Sequence, residues 1–168
     1  MNELIYFLIF CQALGALIGV CTAIWGELAY IRAMRDGKLD IAERVHLNFI
    51  GNGLRFGMTL LLLASFALVV VSFILGGGLQ PALTAGYWFL MVLALLLIYI
   101  SWALSRKRIS FAFGSAIAFT AWWLLVYITF GLLPVRSFGS AMALFVVLTV
   151  VIYAVLHYVR LLALHKRK

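Results

Sequence analysis

Charged residues are scarce in this chain of 168 residues: they make up only 11% of it, while hydrophobic residues make up 67%. Soluble domains average about 25% charged and about 45–50% apolar residues. A chain with so little polar surface for water needs a lipid bilayer as its solvent. Spans of about 20 residues leave room for five crossings and almost no extramembrane part, which excludes a soluble catalytic module.

Cysteine and histidine are rare too. The two cysteines, Cys11 and Cys21, lie on one predicted helix and are separated by about 15 Å, beyond the reach of a disulfide. The three histidines form no metal-site spacing, and no HExxH motif, serine with a base or paired in-span aspartates occur. The sequence therefore gives no indication of an enzyme and favours a non-enzymatic role. The N-terminus lacks a basic region and a small-residue cleavage site, so the first segment is predicted to be a retained span.

Acidic residues number only five, and the net charge is +8. In a soluble protein this balance would suggest nucleic acid. Here the basic residues cluster at the ends of apolar segments, where they set topology and contact anionic lipid headgroups. We therefore expect a lipid bilayer and no nucleic acid among the partners.

The apolar segments predict an all-α, polytopic membrane helical bundle that forms one transmembrane domain over residues 1–168. The five predicted spans are residues 4–31, 48–75, 82–104, 109–130 and 138–164, with a charged elbow at 32–47. Within the elbow, Asp40 and Glu43 form a capping-box pattern that predicts a helix start near Ile41. The third span carries aromatic residues near both ends and almost no other polar group, which indicates a lipid-facing, structural helix.

Lys and Arg lie almost entirely on one side of this predicted topology. Ten of the 13 fall there: Arg32, Arg35, Lys38, Arg44, Arg106, Lys107, Arg108, Lys166, Arg167 and Lys168. Arg136 is the basic residue on the other side. The positive-inside rule then predicts an N-terminus outside and a C-terminus inside, in the cell's inner (plasma) membrane.

Polar residues recur at helical spacing in three of the spans. In the first, Gln12, Ala16, Gly19, Ala23, Glu27 and Tyr30 form one stripe. In the second, Asn48, Asn52, Arg55 and Thr59 share a face; in the fifth, Thr149, Tyr153, His157 and Arg160 do so. Charged groups inside a membrane cost about 2.5–3.5 kcal/mol each and are usually paired. Glu27 and Arg55 are predicted to lie at similar depth, so an ion pair between them is expected.

These stripes suggest a polar pocket open to the cytoplasm. Its predicted lining is Glu27, Tyr30, Asn52, Arg55, Tyr153, His157 and Arg160. The excess of positive charge suits the binding or transport of a small, anionic solute or a lipid headgroup. Taken alone, Arg160 is typical of a residue that extends its side chain to the membrane surface.

Two other interpretations stay open. The polar residues could serve only to pack helices, as in a structural or accessory subunit. Alternatively, His157 could be an axial ligand in a haem- or quinone-binding redox subunit, with Arg55 and Arg160 meeting haem propionates. Mid-span Trp122 and Trp123 suit either packing against small residues of a neighbouring helix or the wall of a ligand pocket.

Small residues predict close helix contacts. Gly15 and Gly19 fit the GxxxG pattern that lets membrane helices approach, and the start of the fourth span is rich in Ala, Gly and Ser. Either surface could support a homo-oligomer or be used within one bundle.

Overall fold

A computed structural model describes residues 2–35, 48, 51–76 and 80–165. All regular structure in these residues is helical. The elements are α1 (Asn2–Arg35), a π-helix (Gly53–Met58) continued by α2 (Thr59–Ile74), a 3-10 turn (Pro81–Leu83), α3 (Ala85–Ser105), α4 (Phe111–Thr129) and α5 (Phe138–His165). The predicted helix start near Ile41 and the basic tail at 166–168 lie outside the described residues.

In the part of the chain that the structure describes, five helices are long and apolar enough to cross a membrane: Glu3–Arg32, Arg55–Ile74, Ala85–Ser105, Phe111–Thr129 and Phe138–Leu162. They agree with the five predicted spans, so the predicted all-α architecture is confirmed. The chain is therefore built as a multi-pass membrane protein. We call the end of the bundle that contains Arg32 and the turn at 106–110 the basic end. The end that contains Gly76, the 3-10 turn Pro81–Leu83 and the turn at 130–137 is the opposite end.

Glycine sets the closest helix contact, between α1 and the second segment. A Cβ added to Gly15 would lie 2.7 Å from the backbone oxygen of Gly57, and one added to Gly57 would lie 2.7 Å from the oxygen of Gly15. Any side chain would separate the two backbones, so the GxxxG prediction for α1 is borne out inside the bundle. The face of the second segment that meets α1 is thus its glycine face.

Trp122 of α4 packs against the second glycine of the GxxxG pattern, Gly19. Its ring covers Gly19, leaving no room for a Cβ there, and the residue is almost completely buried. Trp122 therefore packs as a knob on a small-residue surface, as one of the two interpretations of this residue expects. Since Gly15 and Gly19 both pack within the chain, this stripe does not present a free surface for a second copy.

The prediction of a lipid-facing third span holds for one face of α3 only, because the other face contributes much of the core. Phe89, Leu93 and Leu97 are fully buried there. An all-apolar span carries no polar stripe to mark its inward face, and lipid tails are as apolar as leucine, so composition alone does not separate the two surroundings. The most peripheral helix is α5, with 17% of its span buried against 56% for α4.

Candidate functional site

The predicted stripe on α1 faces the protein. Ala16, Ala23, Glu27 and Tyr30 are buried, and Glu27 is only 5% exposed. A carboxylate at this position lies about five residues, or roughly 7 Å, from Arg32 near the basic end. It is therefore held among side chains and not against lipid.

Arg160 of α5 forms an ion pair with Glu27. Its Nη2 donates to Oε1 of Glu27 at 2.9 Å and to Oε2 at 2.8 Å, and also to Oγ of Ser115 on α4 at 2.8 Å. Arg160 is 6% exposed. The predicted pair between Glu27 and Arg55 is therefore wrong, and so is the interpretation of Arg160 as a side chain that reaches the membrane surface.

Two aromatic rings complete the surroundings of this guanidinium. Its central carbon lies 5.0 Å from the ring centroid of Tyr30 and 5.8 Å from that of Phe111, within cation–π range. The two rings stack on each other with centroids 4.5 Å apart. We call Glu27, Tyr30, Phe111, Ser115 and Arg160 the buried cluster. It joins α1, α4 and α5 at the basic end.

The pair between Glu27 and Arg160 uses a single nitrogen of the guanidinium group. Both carboxylate oxygens of Glu27 meet one guanidinium nitrogen, while the buried Nε of Arg160 has no hydrogen-bond partner among the described residues. A side-on pair would use two nitrogens and add specificity. Ser115 and the rings compensate in part. This arrangement suits an interhelical clamp.

Arg55 lies elsewhere, on the π-helix, where its side chain is exposed. The whole polar stripe of the second segment (Asn48, Asn52, Arg55 and Thr59) is exposed, because the opposite, glycine-bearing face packs on α1. This packing is the physical reason why Arg55 does not meet Glu27. Arg55 and Thr59 of this stripe instead face the end of α3.

A groove of about 570 Å³ separates the π-helix and the start of α2 from the end of α3. Its polar lining includes Arg55 and Thr59 on one side and Ser101 and Ser105 on the other, with Trp102 among them. Met58, Leu62 and Ile98 supply apolar wall. We call this the Arg55 groove. It is half-open and lies at the basic end.

Two further arginines surround the tryptophan of this groove. The guanidinium carbon of Arg108 lies 4.7 Å from the Trp102 ring centroid, and that of Arg106 lies 5.9 Å from it. Because an arginine over an indole face keeps its charge and remains available to anions, the basic turn adds positive potential beside Arg55. Trp102, one of the aromatic residues near the ends of the third span, thus lines a candidate site.

Two more of the predicted site residues lie outside both the buried cluster and the Arg55 groove. Tyr153 and His157 are exposed on α5, with ring centroids 6.1 Å apart, and Tyr153 also contacts Phe113. At about 100° per residue, Tyr153 lies about 20° and His157 about 60° around the helix from Arg160, on the side that turns away from the buried Phe145 and Thr149. Among the described residues, no three His, Cys, Asp or Glu side chains lie close enough to hold a metal ion.

Sequence reasoning missed Ser115 and Phe111 of the buried cluster and the α3 side of the Arg55 groove. Ser115 carried a usable signal, since it is the polar residue in the small-residue front of α4. Ser101 and Ser105, one helical turn apart beside Trp102, formed a second signal. Phe111 carried none, because a phenylalanine at the start of a membrane helix is ordinary.

Comparison of the chain with models of known protein families, with curated proteins and with solved structures finds no match in any of the three. The class that the fold defines is a multi-pass helical membrane protein with two polar sites at the basic end.

Proposed function

We propose that this membrane protein binds the headgroup of an anionic phospholipid, or of a similar anionic amphiphile, in the Arg55 groove. The observation that carries the proposal is an exposed, in-span arginine at the border of a groove that has apolar walls and two more arginines beside it. A phosphate diester would meet Arg55, and acyl chains would run along Met58, Leu62 and Ile98.

Charge supports this ligand class. Arg106 and Arg108 follow directly on α3, and no described residue that lines the groove is acidic. Arginine presents a planar fork that matches phosphate geometry, and each basic residue near an anionic surface contributes about 1 kcal/mol. The hydroxyls of Ser101 and Ser105 offer further donors at the same level.

Depth supports it as well. Trp102 favours the boundary between headgroups and hydrocarbon, and Arg55 lines the same groove. Under the positive-inside rule this end faces the cytoplasm, where anionic lipids are enriched. Of the seven predicted site residues, Arg55 is thus retained as the ligand-binding one. Glu27, Tyr30 and Arg160 are assigned to stability.

A second candidate function is that of a structural or accessory subunit whose polar residues only pack helices. The buried cluster favours it, because its charges are paired inside the bundle. That role would leave Arg55 without a specific ligand.

Native mass spectrometry separates the two functions. The protein would be released from mixed micelles that hold equal amounts of phosphatidylglycerol and phosphatidylcholine. The proposal expects phosphatidylglycerol adducts on the wild type, and about fivefold weaker retention in Arg55→Gln, which corresponds to the loss of one basic contact. Arg136→Gln, an exposed arginine at the opposite end, is the matched control and should retain lipid normally. Equal retention by the wild type and Arg55→Gln would support the packing role.

A further inference from the structure

A second cavity lies at the opposite end of the bundle, far from the Arg55 groove. It is a crevice of about 290 Å³ that runs inward from Pro81 and Thr84 to Gln12 and Ser65. Its lining comes from α1, α2, α3, α4 and the turns at that end. Of the residues in the three predicted polar stripes, Gln12 is the one that lines this crevice. The crevice is also separate from the proposed lipid site.

The deep end of this crevice carries a short hydrogen-bond chain. Nε2 of Gln12 donates to Oγ of Ser65 at 2.7 Å, and that hydroxyl donates to the backbone oxygen of Leu61 at 2.7 Å. Ser65 is 1% exposed. The chain fixes the amide of Gln12 in one orientation within the membrane-spanning part of the bundle.

In the part of the chain that the structure describes, the side-chain amide of Gln12 uses only part of its hydrogen-bonding capacity. Within the described residues, its oxygen accepts no hydrogen bond, and Nε2 makes only the bond to Ser65. A primary amide offers two donors and one acceptor oxygen, and in apolar surroundings an amide group without partners is costly. Since Gln12 lines the crevice, the free oxygen and the second N–H are available to whatever fills it.

The remaining lining limits the ligand class. Among the described residues it contains no charged side chain, and the sequence from Phe56 to Ser105 has none either. An ion placed beside Gln12 would lose its hydration without a counter-charge. The ring of Tyr87 and the side chains of Leu90 and Ile128 supply an apolar wall. The volume of the crevice is several times that of one water molecule, which takes about 30 Å³ in the liquid.

We infer that this crevice is a binding site for a small, uncharged, single-ring molecule that carries a hydroxyl. The hydroxyl would donate to the Gln12 oxygen and accept from the second N–H of the same amide, while the ring would lie against Tyr87 and Leu90. This site is independent of lipid binding at Arg55, so either may fail without the other.

The test uses 4-fluorophenol as the probe, followed by ¹⁹F NMR line broadening with the purified protein in micelles. The wild type is expected to broaden the signal beyond what micelles cause, and Gln12→Leu should weaken binding about tenfold. Two matched probes define the class: 4-fluorotoluene keeps the ring without the hydroxyl, and 4-fluorobenzoate adds a charge. Both should show little protein-dependent broadening.

A second variant guards against a misfolded Gln12→Leu protein. A Cβ added to Gly86, near the start of α3, meets Cβ of Val135 at an ordinary 3.7 Å, so the backbone accepts a Cβ at this position. Because Gly86 lines the crevice, Gly86→Phe should place its ring in that space and abolish broadening, while Arg55→Gln should leave it unchanged. Equal broadening by the wild type and Gly86→Phe would overturn the site. Binding of 4-fluorobenzoate as tight as that of 4-fluorophenol would overturn the uncharged class.

Discussion

Arg55 and Arg160 are both in-span arginines at the basic end, yet their surroundings are opposite. Arg160 is buried, clamped by Glu27 and Ser115 and covered by two rings. Arg55 is exposed beside an open groove. The comparison teaches that a charge inside a predicted span has no fixed role. Small residues determine which face of a helix packs against its neighbours. A charged side chain on the packed face becomes an interhelical clamp, and one on the other face is available to a ligand.

The largest expected effect is on the clamp. Glu27→Leu leaves the Arg160 guanidinium buried without its carboxylate, and breaking a buried pair costs about 3–5 kcal/mol. Replacing both partners, as in Glu27→Leu/Arg160→Met, should recover most of that loss, since an apolar pair of similar volume is often neutral. Unfolding in mixed micelles by SDS titration measures both. A double variant as unstable as the single one would show that the pair is not the source of stability.

A smaller loss is expected where Trp122 covers Gly19. Gly19→Ala places a methyl group against the indole ring, and overpacking of this kind costs about 1–3 kcal/mol. The control is Gly139→Ala on α5, where an added Cβ has open space around it, and its effect should stay within about 0.5 kcal/mol. The same SDS titration applies. If both alanine variants behaved alike, the packing of Trp122 on α1 would be refuted.

The smallest stability effect concerns Ser115. Its hydroxyl accepts from Arg160, and interhelical hydrogen bonds in membranes contribute about 0.6 kcal/mol on average. Ser115→Ala should lose about that amount. Thr120→Val on the same helix is the control, because it removes a buried hydroxyl at nearly constant volume and, among the described residues, that hydroxyl bonds only to Ala116 of its own helix. The difference between the two variants isolates the contact to Arg160; no difference would remove Ser115 from the clamp.

Much of the fold was predictable from the sequence. The five apolar spans, the inward stripe of Glu27 and Tyr30 on α1, and the GxxxG contact all follow from composition and a 3.6-residue period. The partner of Glu27 was not predictable. Two arginines at similar depth were available, and the choice depended on Gly53 and Gly57 directing the glycine face of the second segment toward α1.

The site was predicted only in part. The stripe on α5 correctly includes the buried Thr149 and Arg160, but it is too wide, and Tyr153 and His157 fall at its exposed edge. The Arg55 groove depends on α3, where Ser101 and Ser105 lie one helical turn apart beside Trp102. Their spacing marks a polar edge of the helix but does not reveal that this edge faces the second segment. Tertiary packing, rather than any local pattern, creates that groove.

The most direct test of the division between the two arginines is the melting shift that added phosphatidylglycerol causes in three proteins. The wild type and the Glu27→Leu/Arg160→Met variant should show the same lipid-induced rise in Tm, although their starting values differ. Arg55→Gln should start at the wild-type Tm and lose most of the rise. If the double variant lost the rise and Arg55→Gln kept it, the lipid would be bound at the buried cluster and the account would be contradicted.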